Sequence, residues 1–308
     1  MKATKGMLFL TWGLALVGWN LPALAASPIR VVTAIPDFAV VAEAIGGGEV
    51  TAESIIVGNR DVHAVELLPS FFVKIRKAHM YVKVGMDLDL WSQQLIDGSR
   101  NARLVVVDPS TRITPLEVPT FKVDASYGDM HRYGNPHYWL DPGAARPIVE
   151  AILAGLGTVA PERAALFRAN ADAYLASFEA AATRWTQRLA PFRGRKLVSF
   201  HRSWPYFAQR FGLEFVGELE PKPGVPPTPT HIAAMQNLLN SGAVAAILME
   251  SYFDDRVPQM LARTTGVPLV KVPVLVGAEA GVTTPVALFD AIVDRLAEVL
   301  QRSRPTTS

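Results

Sequence analysis

Three histidines occupy equivalent kinds of position along the chain. His63 closes the loop Gly58-Asn59-Arg60-Asp61-Val62-His63, just after an apolar, β-branched run. His137 sits in Gly134-Asn135-Pro136-His137-Tyr138-Trp139-Leu140-Asp141-Pro142, pinned between a proline and two aromatic rings at the mouth of a helix. Asp141 can cap that helix, and Pro142 fits its first turn, where the missing N–H costs nothing. His201 follows the run Lys196 to Phe200, and Glu250 ends another apolar run, Ala243 to Met249. Residues just past the C-terminal ends of parallel strands converge on the crevice there. Three imidazoles and a carboxylate form a four-coordinate set suited to Zn²⁺, with Zn–N near ~2.0–2.1 Å. Imidazole also accepts Cu²⁺ and Fe²⁺, whereas Mn²⁺ prefers more oxygen donors and ranks below zinc.

The chain has no cysteine. Disulfides, thiolate nucleophiles and sulfur-ligated zinc or iron–sulfur sites are therefore excluded, and a metal site must be built from His, Asp and Glu. Other candidates exist. His131 precedes His137 by six residues on an irregular segment and reads as a ligand, an entry-path residue or plain surface. Asp37 and Glu279 are carboxylates on strand-end loops. His79 ends a helix and reads as a cap on its dipole. His231, next to a capping Thr230, reads as structural or exposed. Asp254 and Asp255 read as caps or as partners of Arg256.

The elements that must position these groups alternate. Strands are expected at Ile29 to Ile35, Val50 to Val57, Met80 to Gly85 and Leu104 to Val107. Helices fall between them at Phe38 to Ile45, Pro69 to Ala78 and Leu88 to Ile96. After the irregular stretch Thr111 to Tyr133 a helix runs from Pro142, with Pro147 a possible kink in its first turns. The longest periodic segment is Pro161 to Leu189, about 40 Å as a helix and longer than a small domain is wide. Alternation then restarts. Strands are expected at Lys196 to Phe200, Leu213 to Val216, Ala243 to Met249 and Pro268 to Val274, with a final helix from Pro285 to Leu300. The fold class is α/β: two parallel-sheet lobes of similar topology joined by one long helix, with a metal cleft between them. The expected division is a signal peptide at 1–25, an N-terminal lobe at 26–160, a linking helix at 161–190 and a C-terminal lobe at 191–308. No internal repeat is evident in the sequence.

Half of the 308 residues are hydrophobic and about a fifth are charged, enough for a substantial core. Lys2 and Lys5, the apolar run from Met7 to Val17 and Ala23-Leu24-Ala25 form a cleavable export signal. Without those two lysines the formal charge of +2 falls to about zero, and basic residues are scattered. Nucleic acid is not an expected partner. The mature chain should be a soluble periplasmic monomer.

The ordered set Asp61-Val62-His63, Gly134 to Pro142, Ser199-Phe200-His201 with Tyr206-Phe207 and Phe211-Gly212-Leu213, and Met249-Glu250 resembles the cluster A-I periplasmic metal-binding proteins. These are the solute receptors of zinc and manganese ABC importers. The resemblance covers essentially the whole mature chain. It implies metal held between two lobes by His63, His137, His201 and Glu250, no enzymatic activity, and a membrane permease and cytoplasmic ATPase as partners. The chain departs from the family in two places. A long His-rich loop is reduced to His131, and no aspartate stands in Pro273-Val274-Leu275-Val276-Gly277, so Glu250, Glu279, His131 and water compete for the fourth position. The rival readings are a secreted zinc hydrolase with Glu250 as base and a receptor for a metal chelate.

Overall fold

The computed structural model describes residues 27–124, 127–128 and 130–303. The expected signal peptide lies outside the described residues. The first lobe follows from a repeated strand–helix pattern: β1 (Ile29–Thr33), α1 (Pro36–Gly46), β2 (Val50–Ser54), α2 (Pro69–Lys77), β3 (Met80–Val82), α3 (Trp91–Ser99) and β4 (Val105–Val107). Its sheet is parallel, in the order β2-β1-β3-β4. α4 (Ala145–Val159) and α5 (Ala164–Leu189) follow. The second lobe holds β5 (Lys196–Ser199), α6 (Pro205–Phe211), β6 (Glu214–Glu218), α7 (Pro229–Asn240), β7 (Val244–Glu250), α8 (Arg256–Thr265), β8 (Leu269–Val272) and α9 (Pro285–Arg302). Its sheet runs β6-β5-β7-β8, also parallel. Each sheet therefore adds its second strand on one side of the first and its third on the other. That reversal opens a crevice at the C-terminal strand ends. β7 is buried along its whole length, as a central strand covered on both faces must be.

α5 spans 26 residues, about 39 Å. Its buried positions are Phe167, Ala171, Leu175, Phe178, Ala181, Trp185 and Leu189, a spacing of three or four that keeps one stripe inward. It packs on α1 and α4 of the first lobe and on α9 of the second. Trp185 lies 4.9 Å from Phe289 of α9, ring centre to ring centre, and donates to Asp290 Oδ1 at 2.6 Å. The helix is thus part of both cores.

Polar bonds also join the lobes. Trp139 Nε1 donates to the Val274 carbonyl at 2.9 Å, and Val276 N–H donates to Asp37 Oδ2 at 3.1 Å. Tyr206 Oη donates to the Asn135 carbonyl at 2.9 Å and accepts from Leu116 N–H at 3.0 Å. Arg210 holds Asp141 through two bonds of 2.6 and 3.0 Å. The segment Pro273 to Gly277, which lacks an aspartate, thus serves the lobe interface through its backbone.

Several local expectations shift. The helix expected from Leu88 starts at Trp91, because Asp89 turns back to accept from Val84 N–H and Gly85 N–H at 2.8 and 2.9 Å. Thr228 caps α7 instead of Thr230, accepting from His231 N–H. Pro147 falls in the first turn of α4, where no intrahelical bond is lost. No helix among the described residues is long and apolar enough to cross a membrane.

Candidate metal centre

Two of the three histidines are set by the same local device. In Asp61-Val62-His63 the Asp61 Oδ1 accepts both the His63 backbone N–H and its ring Nδ1–H, each at 2.9 Å. In Asn135-Pro136-His137 the Asn135 Oδ1 accepts the His137 N–H at 3.1 Å and its Nδ1–H at 2.9 Å. An Asx residue two positions ahead thus folds the turn and fixes the imidazole tautomer together. His201 is fixed differently. Its Nδ1–H meets Glu220 Oε2 at 2.6 Å, and Glu220 comes from beyond β6, the strand beside β5. Asp61, Asn135 and Glu220 were not singled out from the sequence. The spacing Asx-x-His was the available signal for two of them, and Glu220 had none short of knowing the strand order.

With each Nδ1 committed as a donor, each Nε2 lone pair is left free. One ring nitrogen from each of His63, His137 and His201 lies within 4.8 Å of those of the other two. The ring centres are 5.0 to 5.3 Å apart. His63 Nε2 and His137 Nε2 are fully enclosed and have no hydrogen-bond partner. A buried lone pair left so costs about 1–3 kcal/mol, a cost a bound cation removes. Burial first, then the neighbouring imidazoles, pushes His137 far below the usual histidine range. Burial also lowers His201, against the pull of Glu220. Neutral imidazoles are the form that binds metal.

The remaining candidates lie elsewhere. Glu250, expected to stand with the three histidines, is outside their cluster. It ends fully buried β7, and its Oε1 accepts from Trp204 Nε1 at 3.0 Å inside the second lobe. Burial pushes its carboxyl up to about 8, so it is a neutral acid at pH 7. Glu279 is held by Arg295, with one contact of 3.0 Å. Asp37 is spent on the Val276 N–H. His79 Nδ1 accepts from Arg30 N–H at 2.9 Å, tying β1 instead of capping α2. His231 bonds the Glu218 carbonyl at 2.9 Å. Asp254 pairs with Arg256, and Asp255 with Lys271. His131 lies against the cluster, its ring centre 5.3 Å from that of His63.

A cavity of about 270 Å³ leads from the imidazoles, lined by His131, His137, His201, Glu117, Glu218 and Glu220 among others. Arg202 bridges Glu117 and Glu218 at its wall, at 2.8 and 3.4 Å. Lys222 lines the cavity as well, so three carboxylates and two cations face one another there.

Residues 31–299 match the family model described as zinc-uptake complex component A, periplasmic. The chain is 25% identical over 288 residues to the iron-binding protein YfeA of Yersinia pestis, covering 91% of this chain and 88% of that one. It is 24% identical over 244 residues to the manganese-binding lipoprotein MntA of Halalkalibacterium halodurans, covering 78% and 77%. Among solved structures, a zinc-bound deletion mutant of ZnuA superposes with a TM-score of 0.77 at 24% identity, covering 91% of this chain and all of that one.

Proposed function

Because the chain belongs to the family of the periplasmic zinc-uptake complex component A, we propose that it captures Zn²⁺ outside the cytoplasm through His63, His137 and His201. It then hands the ion to the permease and ATPase of an ABC importer. The family is one of metal-binding transport receptors and not of enzymes. The observation that carries the zinc reading is the donor set. Three imidazoles, each with Nδ1 committed, bring their other ring nitrogens to one place. Nitrogen donors suit Zn²⁺ better than Mn²⁺. Relatives named for iron and manganese support a divalent metal as cargo. The family's extracytoplasmic setting and the leader-like N-terminus support export. We assign Glu250 no place among the ligands, since its carboxylate lies outside the group of converging histidine nitrogens and its Oε1 is bonded to Trp204.

The hydrolase reading fails on the family and on that same carboxyl, which cannot act as base at the cluster. Calorimetric titration of the metal-free chain with Zn²⁺ tests the proposal. Binding tighter than micromolar is expected, and His137→Ala should weaken it severely. Weaker binding, or an affinity indifferent to His137→Ala, would overturn it.

A further inference from the structure

The segment Pro273 to Gly277 carries no metal-ligating side chain, yet it is buried where the lobes meet, with Val274, Leu275 and Val276 all inside. It belongs to the second lobe. It runs on from β8 and is closed by a turn in which Ala278 N–H donates to the Leu275 carbonyl at 3.2 Å and Gly277 N–H to that of Val282 at 2.6 Å. The groups it meets belong to the first lobe.

Both histidine loops of that lobe bear on this strap. The Val274 carbonyl accepts from Trp139 Nε1 at 2.9 Å, and the Trp139 ring centre lies 5.2 Å from that of His137, two residues before it. Further along, the strap meets Gly58, the first residue of the loop that ends in His63. A Cβ on Gly58 would lie 2.2 Å from the Val276 carbonyl oxygen and 2.4 Å from the Ala278 nitrogen. Gly58 is not among the residues with positive φ, so the close approach, and not the backbone conformation, calls for a glycine there. Val276 is held on its other side as well, because its N–H donates to Asp37 Oδ2 at 3.1 Å. Asp37 is buried in the first turn of α1, a helix packed on α4 and α5, and it lines a small cavity together with Trp139 and Tyr174.

We propose that Asp37 is a positioning residue for the metal site: by fixing Val276 it makes the donor-free strap a template that sets where the His63 and His137 loops stand relative to each other. The inference rests on the three-histidine reading above. Metal sites tolerate donor displacements of only about 0.2 Å. Asp61 and Asn135 set each imidazole within its own loop, but neither fixes one loop against the other. The strap touches both loops, and Asp37 ties it to the rigid part of the first lobe. The second lobe therefore contributes to the placement of all three histidines, one as a donor on β5 and two through this backbone.

The test uses the full chain. Zn²⁺ affinity is read by competition with a chromophoric chelator, and donor geometry by the visible spectrum of the Co²⁺ form. Asp37→Leu removes the acceptor, and Gly58→Ala forces the loop off the strap. Each should weaken Zn²⁺ binding about 2–30-fold and alter the Co²⁺ spectrum. Asp37→Asn keeps an oxygen for the Val276 N–H and should restore the parent's affinity and spectrum. Because both sites act through Val276, the double variant Asp37→Leu with Gly58→Ala should lose less than the product of the single losses. Gly58→Ala alters a loop outside both sheets and decides alone should Asp37→Leu not fold. Parent affinity and spectrum in Gly58→Ala, losses that multiply in full, or an Asp37→Asn no better than Asp37→Leu would overturn the proposal and leave the three-histidine reading standing. Failure of the parent itself to bind Zn²⁺ would overturn both.

Discussion

Replacing Glu220 isolates the contribution of a residue that never touches the ion. Its Oε2 receives the His201 Nδ1–H at 2.6 Å, and both side chains are buried, exposing 9% and 3% of their surface. A hydrogen bond to a charged group contributes about 1.5–3 kcal/mol when water cannot replace it. At about 1.4 kcal/mol per factor of ten, Glu220→Ala should weaken Zn²⁺ binding by about 10–100-fold. Glu220→Gln keeps an acceptor oxygen and hence the tautomer of His201, and should lose only the part due to charge. Asp61 serves His63 in the same way but exposes 37% of its side chain, so solvent can take over. Asp61→Ala should therefore cost about tenfold or less. Competition titration against a chromophoric zinc chelator ranks the three variants. The reasoning fails if Glu220→Ala binds as tightly as the parent while His201→Ala does not, because the buried carboxylate would then contribute nothing to orienting the imidazole.

Two further outcomes concern stability. Burial raises Asp37 to about 7 and Glu250 to about 8. Each is a carboxyl whose folded value exceeds its unfolded one, so the stability it contributes is complete below about pH 4 and is lost as pH rises through those values. Asp37→Asn in the metal-free chain should remove on the order of 4 kcal/mol of that alkaline loss, read by urea unfolding at acidic and alkaline pH; equal slopes in parent and variant would contradict it. Phe289→Ala, which takes the ring off Trp185 of α5, should cost about 3–5 kcal/mol and lower the melting temperature by about 10 °C. Zn²⁺ affinity should be unchanged in the folded variant, and a large change in affinity would mean that α5 and α9 reach the site.

The elements were legible because both lobes are built from short apolar strands punctuated by Gly and Pro, and because α5 carries an uninterrupted helical stripe. The similar topology of the two lobes was legible in the restarted alternation, but the strand order within each sheet was not, since alternation does not tell which strands lie side by side. Boundaries slipped where side chains take over from backbone: Asp89 delays α3, and Thr228 caps α7 two residues before Thr230. The strand-end rule brought His63, His137 and His201 to one crevice. For Glu250 the same rule told only where the backbone ends. Being last on β7 does not decide on which side the carboxyl emerges, and here it emerges toward Trp204. Asp61 and Asn135 were written in the spacing all along, whereas Glu220 depended on β6 lying beside β5.

How an ion enters and leaves follows from comparing two sets of bonds. Separating the lobes would break the Trp139–Val274, Asp37–Val276 and Tyr206–Asn135 bonds and would strip α5 from α1 and α4 or from α9. Buried bonds of this kind contribute about 1 kcal/mol each, and each large apolar side chain uncovered adds about 1.5–3 kcal/mol. α5 itself offers no hinge, having no Gly or Pro between Ala164 and Leu189. The described residues of 117–134, by contrast, form no strand or α-helix. Side-chain ion pairs that tie this segment down include Arg202–Glu117 and Arg132–Asp87, in which Arg202 and Arg132 expose 51% and 59% of their side chains. Exposed pairs contribute about 0–1 kcal/mol. Lifting this segment therefore costs far less than parting the lobes. It is also the segment that carries His131, whose ring lies against that of His63, so moving it bares the cluster from that side without parting the lobes.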